Sequence, residues 1–166
     1  MSTQRVLDPC CGSRMFWFDK NNPEAIFGDI RRETMTLDRK GRSSQLIVAP
    51  DEIMDFTALP FPDERFHLVV FDPPHLDSSA GSKGWQVAKY GKLPKEWRPM
   101  LSKGFSECFR VLAENGVLIF KWNETDISLR EVLSVTPVKP LFGQTTTQSL
   151  KTHWIVFMKP LTEVEP

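Results

Sequence analysis

The chain has 166 residues, 40% of them hydrophobic, and its 21 basic and 21 acidic side chains give a formal net charge of zero. This length and hydrophobic content are typical of one globular domain with a substantial core, so we expect residues 1–166 to form a single domain. Zero net charge excludes a strong, general electrostatic attraction to nucleic acid. Any binding of nucleic acid must therefore come from a local basic surface.

Cysteine usage and hydropathy exclude several other classes of protein. Cys10, Cys11 and Cys108 contain no C-x-x-C pair, which argues against a zinc site or a disulfide framework. The N-terminal residues lack the basic and then apolar order of a signal peptide, and no apolar run approaches the length of a membrane span. We expect a soluble cytoplasmic protein with no bound metal and no membrane partner.

The first half of the chain alternates short apolar segments with polar connections. Met15–Phe18 is predicted to begin a helix packed on a sheet. Thr34–Val48 is predicted to be a hairpin around Asp38–Arg42, because Lys-Gly between β-favouring residues is a turn signal. The predicted strands, each of which ends beside an acid, are Arg5–Pro9, Ala25–Asp29, Ile53–Asp55 and Leu68–Phe71.

The second half of the chain alternates in the same way. Asp77–Pro94 is rich in glycine and serine and is predicted to be an exposed, mobile loop. Lys95–Leu112 has apolar residues at helical spacing, with Asn115-Gly116 as a stop signal. The remaining predicted elements are a strand at Val117–Trp122, a helix at Ile127–Leu133 and a final strand at Thr152–Met158. This order predicts an α/β fold, a Rossmann-like, doubly wound, mostly parallel sheet with an antiparallel last strand.

The segment around the fourth predicted strand is the most informative part of the chain. Leu68–Phe71 is typical of a strand buried on both faces, as in a parallel sheet. Pro73 and Pro74 cannot continue this strand, because they lack an N–H donor and have a fixed φ. Asp72 is therefore expected at the carboxyl edge of the sheet on a stiff loop, where open α/β folds bind their ligands.

Several segments resemble motifs of the class I S-adenosylmethionine-dependent methyltransferases. Asp72-Pro-Pro-His75 is similar to the D/N-P-P-aromatic motif of the members that modify exocyclic or amide nitrogens. Asp8-Pro-Cys-Cys-Gly-Ser13 resembles the D-P-x-x-G-S form of the first family motif. The other matches are Asp29, the D-x-x-x-L-P-F-P-D-x-x-F stretch Asp55–Phe66, and the helix, turn and strand at Glu107–Ile119. Together the matches run from Val6 to Met158 in the family order.

The resemblance implies S-adenosylmethionine as the cofactor and a set of residues that bind it. Asp29 is expected on the ribose hydroxyls and Asp55 on the adenine amino group. Gly12 allows close backbone approach because it has no Cβ atom, and Asp8 is expected either to hold the loop or to face the methionine ammonium group. Arg14 stands where the family often has a second glycine and could reach the cofactor carboxylate. The predicted cofactor-binding residues are Asp8, Pro9, Cys10, Gly12, Arg14, Asp29, Asp55 and Phe56.

The resemblance also implies a catalytic set, Asp72, Pro73, Pro74 and His75. An amino nitrogen conjugated to a ring is a poor nucleophile, so Asp72 and the Pro73 carbonyl would accept its N–H groups and orient it for attack. His75 departs from the usual Tyr, Phe or Trp, but it offers a flat face for stacking and a titratable ring. The alternative is that His75 only caps the next helix.

A local basic cluster is predicted to hold the substrate. Between Lys83 and Lys103 there are six basic residues and one acid, interleaved with tryptophan and tyrosine, a combination that suits phosphates and stacked bases. The alternative is a solvated loop with Trp97 in the core. The predicted substrate-binding residues are Lys83, Trp85, Lys89, Tyr90 and Trp122. For Trp122 a core role is an equal alternative.

Two further segments could contribute to the same surface. The hairpin and the residues before it offer a second basic surface at Arg31, Arg32, Arg39, Lys40 and Arg42. Thr145–Gln148 is a polar loop that could contact substrate.

The leading hypothesis is a methyltransferase for an exocyclic amino nitrogen of a nucleobase, with adenine N6 in DNA favoured over RNA. The alternatives are a nitrogen in RNA, in a protein glutamine or in a small molecule, which the unusual His75 keeps open. A further alternative is a non-catalytic partner subunit that keeps the cofactor fold, against which the intact Asp72-Pro73-Pro74 sequence argues. The oligomeric state and any need for a partner subunit stay open.

Overall fold

The computed structural model describes residues 4–39, 41–77, 85–144 and 150–161. The helices within these ranges are α1 (Trp85–Tyr90), α2 (Trp97–Val111) and α3 (Leu129–Leu133). The strands are β1 (Val6–Asp8), β2 (Ala25–Asp29), β3 (Glu33–Arg39), β4 (Arg42–Val48), β5 (Glu52–Ile53), β6 (Phe66–Phe71), β7 (Leu112–Asn123), β8 (Phe142–Gly143) and β9 (Thr152–Met158).

A seven-stranded sheet in the order β5-β2-β1-β6-β7-β9-β8 forms the centre of the molecule. Strands β5, β2, β1, β6 and β7 are parallel, whereas β9 runs antiparallel to β7 and β8 runs antiparallel to β9. The predicted Rossmann-like, doubly wound, mostly parallel sheet with an antiparallel last strand is confirmed. β3 and β4 form a separate antiparallel hairpin, as predicted for Thr34–Val48.

The hydrophobic core lies between α2 and one face of the sheet. Phe105 of α2 meets Phe71 of β6 at a ring-centroid distance of 5.4 Å and Phe120 of β7 at 4.9 Å, both edge to face. Each such contact contributes roughly 0.5–1.5 kcal/mol beyond the burial of its surface. A Cβ atom at Gly104 would lie 2.6 Å from the ring of Phe56, so the helix rests directly on that ring. The core therefore continues without a gap to Phe56, a predicted site residue.

The connection from β1 to β2 is not helical, so the predicted helix at Met15–Phe18 is wrong. Residues 9–24, all of which the structure describes, form successive turns and bends. Gly12 and Arg14 have φ values of 49° and 55°, which an α-helix does not accommodate. Trp17 covers the sheet instead, with its ring 4.7 Å from that of Phe27 in β2.

Element boundaries in the second half also differ from the predictions. α1 lies within the segment predicted as a mobile loop, of which residues 78–84 are outside the described ranges. α2 ends at Val111, one residue before the predicted Leu112, and β7 begins at Leu112 rather than at the predicted Val117, so that Asn115, with a φ of 60°, lies within the strand. β8 was not predicted, since two residues carry no periodicity. No helix of the described ranges is long and apolar enough to cross a membrane.

A buried carboxylate fastens the connection between β5 and β6 to α2. Glu107 accepts hydrogen bonds from the backbone N–H of Leu59 at 2.8 Å and from Nη2 and Nε of Arg110 at 2.8 and 2.9 Å. Arg110 also donates to the carbonyls of Leu59 and Phe61. The hydrogen bonds from Arg110 hold the pKa of Glu107 below its ordinary value.

We expect Glu107→Ala to lower the free energy of unfolding by about 1–3 kcal/mol, because the Leu59 N–H and the Arg110 guanidinium lose their acceptor. Urea denaturation measures this loss. Since the folded-state pKa is lowered, the stabilisation is present above the unfolded-state pKa and is lost as the pH falls through the folded value, so the two proteins should converge in acid. Glu114→Ala, at an exposed acid, is the control and should change stability by less than about 0.5 kcal/mol. Equal losses in both variants would contradict this role for Glu107.

Candidate active site

A cavity of about 340 Å³ lies at the carboxyl edge of the sheet, where β1, β2 and β6 end side by side. The predicted site residues that line it are Pro9, Cys10, Gly12, Asp29, Asp55, Phe56, Asp72, Pro73, Pro74, His75, Lys89 and Tyr90. Asp8, Arg14 and Trp122 are not among its lining residues. Lys83 and the side chain of Trp85 lie outside the described part of the chain. The cofactor, catalytic and substrate predictions therefore converge on one cavity.

Asp8 holds the first-motif loop from beneath the cavity. Its fully buried carboxyl group accepts hydrogen bonds from Nε1 of Trp17 at 2.8 Å and from the backbone N–H of Cys10 at 3.3 Å. Burial raises the pKa of Asp8 to about 7. Of the two expectations for Asp8, the structure favours loop holding over contact with a methionine ammonium group.

Gly12 and Asp29 bring the ends of β1 and β2 together. The backbone N–H of Gly12 donates to Oδ2 of Asp29 at 2.9 Å, and Oδ1 accepts from the N–H of Arg31 at 2.9 Å. No atom lies within 4 Å of the position that a Cβ atom would take at Gly12, so this backbone faces open space. A ligand can therefore approach the Gly12 backbone and the Asp29 carboxylate at the same time.

The structure places Arg14 away from the cavity. Its guanidinium donates to the Ala49 carbonyl at 2.8 Å and to Oδ1 of Asp51 at 2.9 Å, and it also bonds the Lys20 carbonyl. The same group lies 3.9 Å from the ring centroid of Phe27. These contacts hold Arg14 against the body of the protein, and the prediction that it reaches the cofactor carboxylate is corrected.

Asp55 and Phe56 form the part of the cavity beyond β5. Oδ1 of Asp55 accepts hydrogen bonds from the backbone N–H and the hydroxyl of Thr57, both at 2.8 Å, which orients an otherwise exposed carboxylate. Phe56 is buried, and its neighbours in the cavity wall include Ile30 and Met54. An acid beside an apolar wall suits a flat ring that carries an amino group.

Asp72 follows β6 directly and is paired with a lysine. Nζ of Lys121, in the neighbouring strand β7, lies 2.6 Å from Oδ2 of Asp72, and the two side chains are 16% and 19% exposed. Burial raises the pKa of Asp72, and the charge and hydrogen bond of Lys121 oppose that shift. Among the described residues, Lys121 is the only hydrogen-bond partner of this carboxylate.

His75 lies under the last turn of α1. Its ring is 5.1 Å from the ring of Tyr90 and 6.2 Å from that of Trp122. Burial and the nearby Lys121 lower the pKa of His75 to about 4. The residue therefore presents a neutral ring to the cavity at neutral pH, and the helix-capping alternative is unnecessary to explain its place.

Trp122 belongs to the core rather than to the cavity wall. It is fully buried, donates from Nε1 to the Ile127 carbonyl at 2.9 Å, and stacks on Phe120 at 5.7 Å. Successive residues of a strand face opposite sides, so Trp122 and its neighbour Lys121 have different environments. The substrate-binding prediction for Trp122 is corrected in favour of the core alternative.

Only part of the predicted basic cluster faces the cavity. Lys89 and Lys92 line it, whereas Lys95 is exposed elsewhere and Trp97 is buried in the core. The Gly91 backbone between the two lysines packs on Pro74, since a Cβ atom at Gly91 would lie 3.2 Å from the Pro74 ring. The other basic residues of the cluster form ion pairs, Arg98 with Glu131 and Lys103 with Glu107.

The structure describes only part of the second basic surface, of which Arg31 also lines the cavity. Arg31 pairs with Asp29 and Glu33, and Arg32 donates to the Pro50 carbonyl at 2.8 Å. Lys40, the side chain of Arg39 and the polar loop at 145–148 lie outside the described residues.

Several lining residues were missed by sequence reasoning. They include Ser13, Met15, Phe16, Ile30, Met54 and Met100. Their environments depend on turns and side-chain packing that no local pattern encodes. Lys121 does not line the cavity but pairs with Asp72, and it had a usable signal, because Lys121-Trp122 ends a predicted strand at the ligand-binding edge.

Comparison with known proteins identifies the fold. No protein-family model matches the chain, and no curated protein matches it. Among solved structures, it resembles a TehB-like SAM-dependent methyltransferase from Corynebacterium glutamicum (TM-score 0.57, 12% identity, 96% of this chain and 82% of that one). It also resembles a SAM-dependent methyltransferase from Methanosarcina mazei (0.55, 14%, 97% and 94%) and the PH0226 protein of Pyrococcus horikoshii (0.55, 16%, 94% and 81%). The chain therefore has the class I S-adenosylmethionine-dependent methyltransferase fold.

We expect the imidazole of His75 to stay neutral well below the ordinary titration range, because burial and Lys121 lower its pKa to about 4. NMR titration of the ring, with the His75→Gln variant to assign its signals, measures the midpoint. An unperturbed histidine titrates near about 6.5. A midpoint close to that value would contradict the buried, neutral ring.

Proposed function

We propose that the chain is an S-adenosylmethionine-dependent methyltransferase acting on an exocyclic amino nitrogen of a nucleobase, with adenine N6 in DNA as the first candidate. The observation that carries the proposal is the meeting of two sets of residues in one cavity. Asp72, Pro73 and His75 line the same cavity as Gly12 and Asp29. A donor site and an acceptor site must adjoin for direct group transfer.

The cofactor side of the cavity fits S-adenosylmethionine. The open backbone at Gly12 would receive the methionine portion, Asp29 would hold the ribose hydroxyls, and Asp55 with Phe56 would hold the adenine ring. When bound, this cofactor supplies an electrophilic methyl group on a sulfonium.

The acceptor side offers two hydrogen-bond acceptors and a flat ring. Oδ2 of Asp72 is occupied by Lys121, while Oδ1 has no hydrogen-bond partner among the described residues. Oδ1 and the Pro73 carbonyl would accept the two N–H groups of an amino substituent and orient its lone pair. The neutral ring of His75 would pack on the heterocycle without adding a charge.

Two lysines support a phosphate-bearing substrate. Lys89 and Lys92 line the cavity beside Pro74 and His75, and neither forms an ion pair with a described acid. Cations beside a flat side chain suit a nucleotide in a single strand or flipped from a duplex. This arrangement favours nucleic acid over a neutral small molecule as the substrate.

Transfer of labelled methyl from S-adenosylmethionine to DNA, RNA and protein, followed by mass spectrometry of the monomers, tests the activity. We expect N6-methyladenine in DNA. Asp72→Ala should lower the transfer rate at least about 100-fold, as for other lost transition-state hydrogen bonds, while cofactor affinity measured by calorimetry changes little.

Asp29→Ala is the matched variant on the cofactor side, and it should affect cofactor affinity rather than the acceptor. It should weaken cofactor binding about 10-fold or more, because a charge-assisted hydrogen bond contributes roughly 1.5–3 kcal/mol. Labelled methyl in RNA or protein would show that DNA is not the substrate, and it would name the substrate instead. Wild-type transfer by Asp72→Ala would show the catalytic assignment to be wrong.

The phosphate contacts should be visible in the salt dependence of binding. For the Lys89→Met/Lys92→Met double variant we expect the slope of log affinity against log salt to fall by about 1.4–1.8, since each phosphate contact contributes roughly 0.7–0.9. Lys95→Met, which removes an exposed lysine outside the cavity, is the control and should keep the wild-type slope. An unchanged slope in the double variant would reject this role for the two lysines.

A further inference from the structure

The ion pair between Lys121 and Asp72 is the closest charge contact at the acceptor site. β6 and β7 are parallel neighbours with Phe71 opposite Phe120, so the next residues, Asp72 and Lys121, adjoin at the sheet edge. The Nζ–Oδ2 distance is 2.6 Å, and both side chains are largely shielded from water. At this distance and burial the two charges interact much more strongly than a surface pair does.

Lys121 is itself held from the other side by aromatic rings. Its Nζ lies 5.4 Å from the centroid of Phe16 and 5.8 Å from that of Trp154, and these two rings meet edge to face at 5.3 Å. Trp154 is the partner of Lys121 in the β7–β9 register. The ammonium group is therefore confined between two aromatic rings and one carboxylate oxygen, and it has little freedom to turn away from Asp72.

We propose that Lys121 is the positioning residue of the acceptor site, which keeps Asp72 ionised and holds Oδ2 so that Oδ1 remains for the acceptor amino group. The proposal rests on the proposed function, and it adds a residue that the D-P-P-aromatic motif does not contain. Lys121 acts through Asp72, since it does not line the cavity itself.

The surroundings of Asp72 explain why a cation is needed there. Asp8, at the end of β1, is fully buried, and the charge of Asp72 raises its pKa further. The other titratable groups around this edge are Asp29, Cys10 and His75, and the last is neutral near pH 7. The cations Arg31, Lys89 and Lys92 line the same cavity, but among the described residues only Lys121 forms an ion pair with Asp72. Burial would therefore drive Asp72 further toward its neutral form if Lys121 were absent. A protonated Asp72 would carry an O–H donor on one oxygen, so its two oxygens could no longer both act as acceptors.

The first test is a titration that does not depend on activity. NMR of the Asp72 carboxyl carbon should show its pKa rising by about 1–3 units in Lys121→Met, because an opposite charge at this range lowers a carboxyl pKa by that amount. The His75 midpoint should rise in the same variant, since Lys121 lowers the pKa of that ring. Lys121→Arg keeps the charge and should keep both midpoints near the wild-type values.

The second test is the pH dependence of transfer. In wild type, Lys121 opposes the rise in the Asp72 pKa that burial causes, so its loss in Lys121→Met should move the acid limb of kcat/KM up by about 1–3 pH units. We expect kcat to fall while the KM for S-adenosylmethionine is kept, with rescue of the acid limb by Lys121→Arg. Lys159→Met is the matched control, because Lys159 is similarly shielded, pairs with Glu64 at 3.3 Å and bonds the Leu112 carbonyl at the opposite end of the sheet. Lys159→Met should lower the free energy of unfolding without moving the acid limb of kcat/KM.

The two readouts separate this proposal from the proposed function. An unchanged Asp72 midpoint in Lys121→Met would overturn the role of Lys121. A shifted midpoint without transfer to any substrate by the wild type would overturn the acceptor role and the proposed function, while the electrostatic hold on Asp72 would stand. A shifted midpoint together with a shifted acid limb would support both.

Discussion

The central position of β6 is the constraint on which the candidate site depends. β6 pairs in parallel with β1 on one side and β7 on the other, and Phe71 at its last position is fully buried. Because parallel strands end at a common edge, the proline stop after β6 leaves Asp72 between the loop that follows β1 and the end of β7. The contacts of Asp72 therefore come from sheet register and not from proximity along the chain.

Three acids end neighbouring strands at this edge, and each is stabilised in a different way. Asp8 is buried with neutral donors, and its pKa near 7 allows it to shed much of its charge. Asp29 accepts backbone N–H groups and pairs with Arg31, while Asp72 pairs with Lys121. Three uncompensated carboxylates here would repel one another in a poorly solvated site. As a result, Asp8 supports the loop beneath the cavity, while Asp29 and Asp72 line the cavity itself.

Features that depend on neighbouring residues could be predicted from the sequence, whereas features that depend on partners far along the chain could not. Leu68–Phe71 and the prolines after it indicate a buried strand with a sharp end, so the local sequence was enough to predict β6 and the position of Asp72. Lys95–Leu112 has clear helical spacing, and α2 appears there, from Trp97 to Val111. Arg14 could not be placed in this way, because its partner Asp51 is 37 residues away and its own φ is positive. The alternation of β7 separates Lys121 from Trp122 but does not say which face is which, and the choice of Trp122 was wrong for that reason.

The connection between β1 and β2 contacts two of the charged groups around the cavity. With turns in place of a helix, this short segment sends Trp17 down to Asp8 and exposes Phe16 to the cavity wall. Phe16 also meets Trp154 and faces the ammonium group of Lys121. One segment thus contacts Asp8, beneath the cavity, and Lys121, which pairs with Asp72.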